Sequence, residues 1–319
     1  MKISSNKQYR NLILFSFLAL FLSSLLFMIY IRDFPWTDPR FGLYKMIDGT
    51  AHKPFVYRRL MPFLIRIVIS VISIRPRIAA SALMFMFLIG FFFAIRYLAS
   101  AFKGLEPYSE TVSLSSFFVL ALLRFPYPYE QLYDFSTLFL FTLCLALMIR
   151  ARWSMYMLVY TVGCLNKETF ILLVIAFVAS YYNKIKNRAY MNILVLQVIV
   201  FVAIRAGIMW YYQGNPGGTL EFNLSRHIEA MSKLPGLTVG YLLASMVCLW
   251  FAAKNWKSKP KFLRRTISTV SPIFLLLYFL FGSPFEFRVF YELIPIWLLM
   301  VFLSFPRKCR VLKWDPISP

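Results

Sequence analysis

The sequence predicts an all-α, polytopic transmembrane helical bundle of about ten spans. Three observations carry that expectation. Of 319 residues, 60% are hydrophobic and 15% charged, whereas soluble domains average about 45–50% apolar and about 25% charged. Segments 11–31, 78–100 and 191–212 are apolar runs of the roughly 18–20 residues that a helix needs to cross hydrocarbon. These runs are continuous rather than alternating with period two, which favours helices over barrel strands. No polar stretch is long enough for a separate soluble domain, so residues 1–319 read as one membrane domain.

The N-terminus has basic residues followed by an apolar run, as a signal peptide does. The run is long and ends in Phe27-Met-Ile-Tyr-Ile-Arg32 without a small-residue cleavage site, so 11–31 reads as a retained first helix. A first outer loop, 32–77, follows. Within it, Leu60, Phe63, Leu64, Ile67, Val68, Val71 and Ile72 recur at helical spacing, and Arg59, Arg66, Ser70 and Ser73 fall on another face. That pattern suits a helix lying in the interface at 59–75. A full span there would place Arg66 in lipid. The remaining spans are 78–100, 111–124, 134–149, 153–166, 169–182, 190–212, 237–253, 267–283 and 287–304. Several are short and need tilt, local thinning or a break.

The formal charge is +22. Cytoplasmic loops rich in Lys and Arg account for it, and nucleic acid is not an expected partner. With 59–75 interfacial and both termini cytoplasmic, the inside loops carry 19 Lys+Arg against 3 Asp+Glu, and the outside loops 14 against 10. Counting 59–75 as a span flips the later basic clusters outward, against the positive-inside rule. Cys144, Cys164, Cys248 and Cys309 are scattered, with no zinc or disulfide spacing. His52 and His227 are isolated, so no histidine metal site is expected.

This topology gathers the chemically equipped residues outside. The first loop holds Asp33, Asp38, Asp48, His52, Tyr57, Arg58 and Arg59. Segment 124–134 is aromatic and ends in Asp134. Asn166-Lys167-Glu168-Thr169 interrupts the apolar stretch 153–182, and Glu286 and Arg288 precede Glu292. A longer polar loop, 213–235, has few chemically pointed residues. Ionisable groups at span ends are functional candidates, because lipid penalises them. Structural roles also fit. Lys167 and Glu168 can form a tight turn, Glu286/Arg288/Glu292 an internal ion pair, and Asp134 an N-cap. Arg58 and Arg59 can anchor an interfacial helix to lipid phosphates, and the aromatics near Pro126 and Pro128 can be interface belt.

Taken jointly, the residues suit transfer from a lipid-linked phosphate. Arg58, Arg59, Lys167 and Arg288 would hold the departing anion. Asp33, Asp48, Asp134 or Glu168 would take the proton of an attacking hydroxyl. His52, Tyr57 and Glu286 complete the substrate-binding set.

The order of a first helix, an acid-bearing outer loop, an interfacial helix and many spans resembles C-type, multi-spanning membrane glycosyltransferases. Three stretches are similar to poorly characterised bacterial inner-membrane proteins grouped with them: 48–62, which contains Asp48-Gly49 and Tyr57-Arg58-Arg59-Leu60-Met61-Pro62, Asn166-Lys167-Glu168-Thr169, and Glu286-Phe287-Arg288-Val289 with Glu292-Leu293-Ile294-Pro295. The resemblance implies a catalytic carboxylate soon after the first span, pointing first to Asp33 and then to Asp38 or Asp48. The first loop lacks the Asp-Asp or Asp-Glu pair that some members show, and no large soluble domain follows the last span. The implied activity moves a sugar from a polyprenyl-phosphate donor to a glycan, lipid or protein acceptor at the outer face of the inner membrane. Mg²⁺ or Mn²⁺ would need oxygen ligands such as the outer acids, though no spacing demands a metal. Two other readings stay open: a transporter or flippase of a lipid-linked or anionic solute, and a non-catalytic assembly subunit. The interrupted stretch 153–182 favours the former.

Overall fold

The computed structural model describes residues 5–124, 131–220, 222–284 and 286–305. Among them the fold is all-α, with thirteen α-helices joined by short 3-10 turns. Each of the ten apolar segments is at least partly helical, but ten spans do not result. Among the described residues, four helices combine the length and apolarity needed to cross a membrane: α1 (Ser5–Arg32), α4 (Pro76–Ala99), α9 (Arg188–Tyr211) and α12 (Lys261–Phe281). The 24 residues of α4 rise about 36 Å, beyond the roughly 30 Å of a hydrocarbon core. On α1 and α9, Phe17, Phe21, Met28, Ile199 and Val202 stand exposed, as lipid-facing side chains do.

Five of the other six runs make helices of sixteen residues or fewer: α5 (Ser109–Arg124, 16 residues), α6 (Asp134–Ile149, 16), α7 (Trp153–Asn166, 14), α8 (Ile171–Tyr181, 11) and α13 (Ile294–Phe302, 9). The sixth, 237–253, lies in a helix of 19 residues, Pro235–Ala253. Even sixteen residues rise only about 24 Å. In α6 the apolar residues serve a different purpose: nearly the whole helix is buried inside protein, packed along α4, α7 and α8. A helix hydrophobic all round reads identically whether lipid or protein surrounds it. That ambiguity accounts for α6, while α5, α7, α8 and α13 fall short by length.

Local rules set the boundaries. The first loop carries α2 (Leu43–Asp48), which ends on Gly49 at φ 76°, a left-handed conformation that glycine adopts freely. Next come the 3-10 turn Phe55–Tyr57 and α3 (Leu60–Ile72). The 13 residues of α3 rise about 20 Å, too short for a span. Leu60, Met61 and Ile65 face the protein, while Phe63, Ile67, Val71 and Ile72 are exposed, the two-faced pattern expected at 59–75. Pro76 opens α4 at its first turn, where the missing N–H costs nothing. α10 (Leu224–Lys233) and α11 (Pro235–Ala253) fill the stretch between α9 and α12.

α7 and α8 form an antiparallel hairpin. Trp153, the first residue of α7, packs edge-on against Phe177 and Tyr181 near the end of α8, with ring centroids 5.7 and 5.5 Å away. Between the helices, Lys167 is extended and Glu168–Phe170 make a 3-10 turn. Gly163 permits this tip: a Cβ there would lie 1.9 Å from the Phe170 ring. One apolar cluster runs from Phe15 on α1 through α4 and α6 to Met300 on α13. The hairpin tip, the start of α6 and the turn before α13 meet over it.

Candidate functional site

The site is built where chain segments break. Tyr57 and Arg58 come from the first loop, Tyr133 and Asp134 from the start of α6, and Lys167 and Glu168 from the hairpin tip. Arg205 comes from α9, and Arg288 and Glu292 from the 3-10 turn Phe287–Leu293. Backbone bonds fix these segments to one another. The Arg59 N–H donates to Leu165 O at 2.9 Å, tying the first loop to the end of α7. The Lys53 N–H donates to Pro216 O at 2.8 Å, and Asn215 Nδ2 donates to Gly49 O and Ala51 O, each at 2.9 Å.

Glu168 is the centre of charge. Arg58 reaches it with two nitrogens, Nη2 to Oε1 at 2.7 Å and Nε to Oε2 at 3.4 Å. Arg205 Nη2 approaches Oε2 at 3.5 Å, and its Nη1 donates to Tyr57 O at 3.1 Å. Arg58 also donates to the Tyr133 hydroxyl and lies over that ring, 4.3 Å from its centroid. Burial pushes the Glu168 carboxyl up, but Arg58, Arg205 and Lys167 together hold it well below the ordinary carboxylate range.

Two further ion pairs flank this one. Lys167 Nζ and the Thr169 hydroxyl both donate to Glu292 Oε1 at 2.7 Å. Glu292 is fully buried, and its Oε2 has no hydrogen-bond partner among the described residues. Arg288 joins Asp134 Oδ1 at 3.1 Å and also Glu286. Asp134 Oδ2 accepts from the Tyr30 hydroxyl at 2.8 Å and the Gln131 N–H at 2.9 Å. Asp134 is therefore not the N-cap of α6; it is the first helical residue, turned back onto the preceding loop. Asn166 sits beneath the tip, donating to Thr137 Oγ1 at 2.7 Å and accepting from Ser136 Oγ at 2.8 Å.

Accessibility separates the carboxylates. The Glu168 side chain is 41% exposed, against 3% for Asp134, 0% for Glu292 and 12% for Glu286. Glu168 is the acid through which this network opens outward.

The structure thus brings together Arg58, Asp134, Lys167, Glu168, Glu286 and Arg288. Asp33 is exposed just past the end of α1, and Asp48 is exposed at the end of α2. Neither shares the burial of the network. Asp38 accepts from the Arg40 and Phe41 N–H groups and shapes the first loop. Arg59 donates to Met46 O at 2.9 Å and lies over the Tyr212 ring, bracing the loop against the end of α9. Tyr57 is buried beneath Arg205, and burial pushes its phenol up. His52 is half-buried, with its N–H bonded to Arg40 O. Aromatic residues 125–130 and the basic cluster at 307–310 lie outside the described residues.

Arg205, Tyr133 and Tyr30 escape the sequence reading. Arg205 carries a signal, since a lone arginine inside the apolar run of α9 is costly without a partner. Tyr133 and Tyr30 resemble any interface aromatic, and only the fold identifies their partners. Among the described residues, no group of three or more His, Cys, Asp or Glu side chains is placed to hold a metal ion. The network carboxylates already face cations, which a divalent ion would have to displace. Comparison with family models, curated proteins and solved structures finds no match.

Proposed function

We propose that the chain is a multi-pass membrane transferase that moves a sugar from a polyprenyl-phosphate donor to a hydroxyl of a glycan, lipid or protein acceptor. One observation carries the reading: an accessible carboxylate, Glu168, is flanked by Arg58, Arg205 and Lys167 at a helix break. The cations supply fixed positive charge for a phosphate leaving group, and the carboxylate supplies a proton acceptor. The polyprenyl chain lies along lipid-facing helices.

In the reaction, the acceptor oxygen bonds to the sugar C1 as the C1–O(phosphate) bond breaks. The electron pair leaves on polyprenyl phosphate, and the hydroxyl proton passes to Glu168. Its carboxyl is a weak base while two guanidiniums face it. A donor phosphate that takes up Arg58 removes one of those cations and raises the basicity of Glu168 at the moment of need. Asp134 and Glu286 hold Arg288 in place. Topologically, the Glu168 end faces outward from a bacterial inner membrane, and the basic loops face the cytoplasm.

The test is release of polyprenyl phosphate from a polyprenyl-phosphate-sugar donor by the detergent-solubilised protein. Glu168→Gln should abolish release, while Asp33→Asn and Asp48→Asn retain it. Full activity in Glu168→Gln refutes the assignment. The interrupted α7–α8 hairpin also resembles the broken helices of transporter sites. Solute uptake into proteoliposomes without donor turnover would establish that reading instead.

A further inference from the structure

At the far end of α8 from Glu168 lies an open cavity of about 520 Å³. Val178, Ala179, Tyr182 and Trp256 line part of it. The rest of the lining comes from the first two and a half turns of α12, with Lys261, Arg264, Arg265, Ser268 and Thr269. Three cations line it and no carboxylate does. Among the described residues, few of their donors have a partner. Arg264 Nε is buried without a partner among the described residues, and Arg265 makes one long bond, 3.4 Å, to Ser180 O. The free N–H groups of the first turn of α12 add positive potential.

We propose that this cavity binds the phosphate headgroup of an anionic phospholipid, in the membrane leaflet opposite the Glu168 site. The choice of a lipid over a free anion rests on what continues from the cavity. Leu275 and Leu276 lie seven residues beyond Ser268 and Thr269, hence on the same face of α12. They are 48% and 58% exposed and offer an apolar track for acyl chains. Tyr182 and Trp256 flank the headgroup position, where amphipathic rings sit at a membrane interface. A basic pocket beside a spanning helix, here α12, suits an anionic headgroup. The inference is independent of the transferase reading.

The full-length protein, in nanodiscs of phosphatidylcholine, is titrated with phosphatidylglycerol of the same acyl chains, and retained lipid is counted by native mass spectrometry. Phosphatidylglycerol should be retained preferentially, and millimolar inorganic phosphate should not displace it. Arg264→Gln and Ser268→Glu should each weaken retention about fivefold or more. Ser268 is exposed, so its variant tests the charge without disturbing the core. Lys186→Gln, on an exposed lysine outside the cavity, should bind as the parent does. Equal retention of both lipids overturns the proposal, as does unchanged binding in Ser268→Glu. Displacement by inorganic phosphate alone overturns it in favour of a small-anion site.

Discussion

Replacing Lys167 by Met should be among the most destabilising single changes at the site. Lys167 Nζ is 2.7 Å from Glu292 Oε1, and the Glu292 side chain is 0% exposed. Without the ammonium, Glu292 keeps the Thr169 hydroxyl on Oε1 and, among the described residues, nothing on Oε2. Stranding one partner of a buried pair costs about 3–5 kcal/mol. For a chain of this size about 2 °C accompanies each kcal/mol, so the apparent Tm in detergent should fall by roughly 6–10 °C. Glu292→Met strands the lysine instead and should cost a similar amount. The double variant removes both charges, and an apolar pair of similar volume is often neutral. It should recover most of the loss. The assay is intrinsic-fluorescence thermal unfolding of all four proteins in one detergent. Additive losses in the double variant would refute the argument, because they would mean that the two residues act separately.

Three further predictions follow from other contacts. The Glu168 carboxyl lies below its ordinary value of 4.5 in the folded protein, so its stabilisation is present above that pH and lost as pH falls through the folded value. The Tm gap between parent and Glu168→Gln should stay flat from about pH 8 to 5 and close only in stronger acid; a gap that closes near neutrality contradicts the pairing. Gly163→Ala puts a Cβ 1.9 Å from the Phe170 ring, an overpacking that costs about 1–3 kcal/mol. Phe170→Leu in the same chain should restore part of the lost Tm. Lys259 is buried and donates to Phe251 O, Ala252 O and Ser304 Oγ at 3.1, 2.7 and 2.7 Å. Phe251 O keeps the Ser304 hydroxyl as a donor, but Ala252 O loses its ammonium partner, so Lys259→Met should lower stability by about 1–3 kcal/mol, and the loop after α11 should become sensitive to protease.

The sequence by itself determined the class of molecule and the position of its apolar helices, though not of α2 and α10, which lie in stretches it reads as loop. Composition and continuous apolar runs demand helices with little polar coat, and the amphipathic spacing of 60–72 appears in the fold as α3. It also singled out Arg58, Lys167, Glu168 and Arg288, because charge at the end of an apolar run is costly and needs a reason. Tertiary structure decided which apolar helices protein covers. The apolar stretches of α6 and α1 read alike, yet α6 is enclosed by protein and α1 exposes Phe17 and Phe21. A one-dimensional hydropathy pattern contains no information about which neighbour covers an apolar face. Tertiary structure also decided among the carboxylates. Asp33, Asp48, Asp134 and Glu168 are equivalent as letters. Burial and partners separate them: Asp134 is enclosed by Tyr30 and Arg288, while Asp33 and Asp48 lie exposed. Glu168 remains both accessible and flanked by cations, since it alone stands on the hairpin tip that Gly163 allows to fold against Phe170.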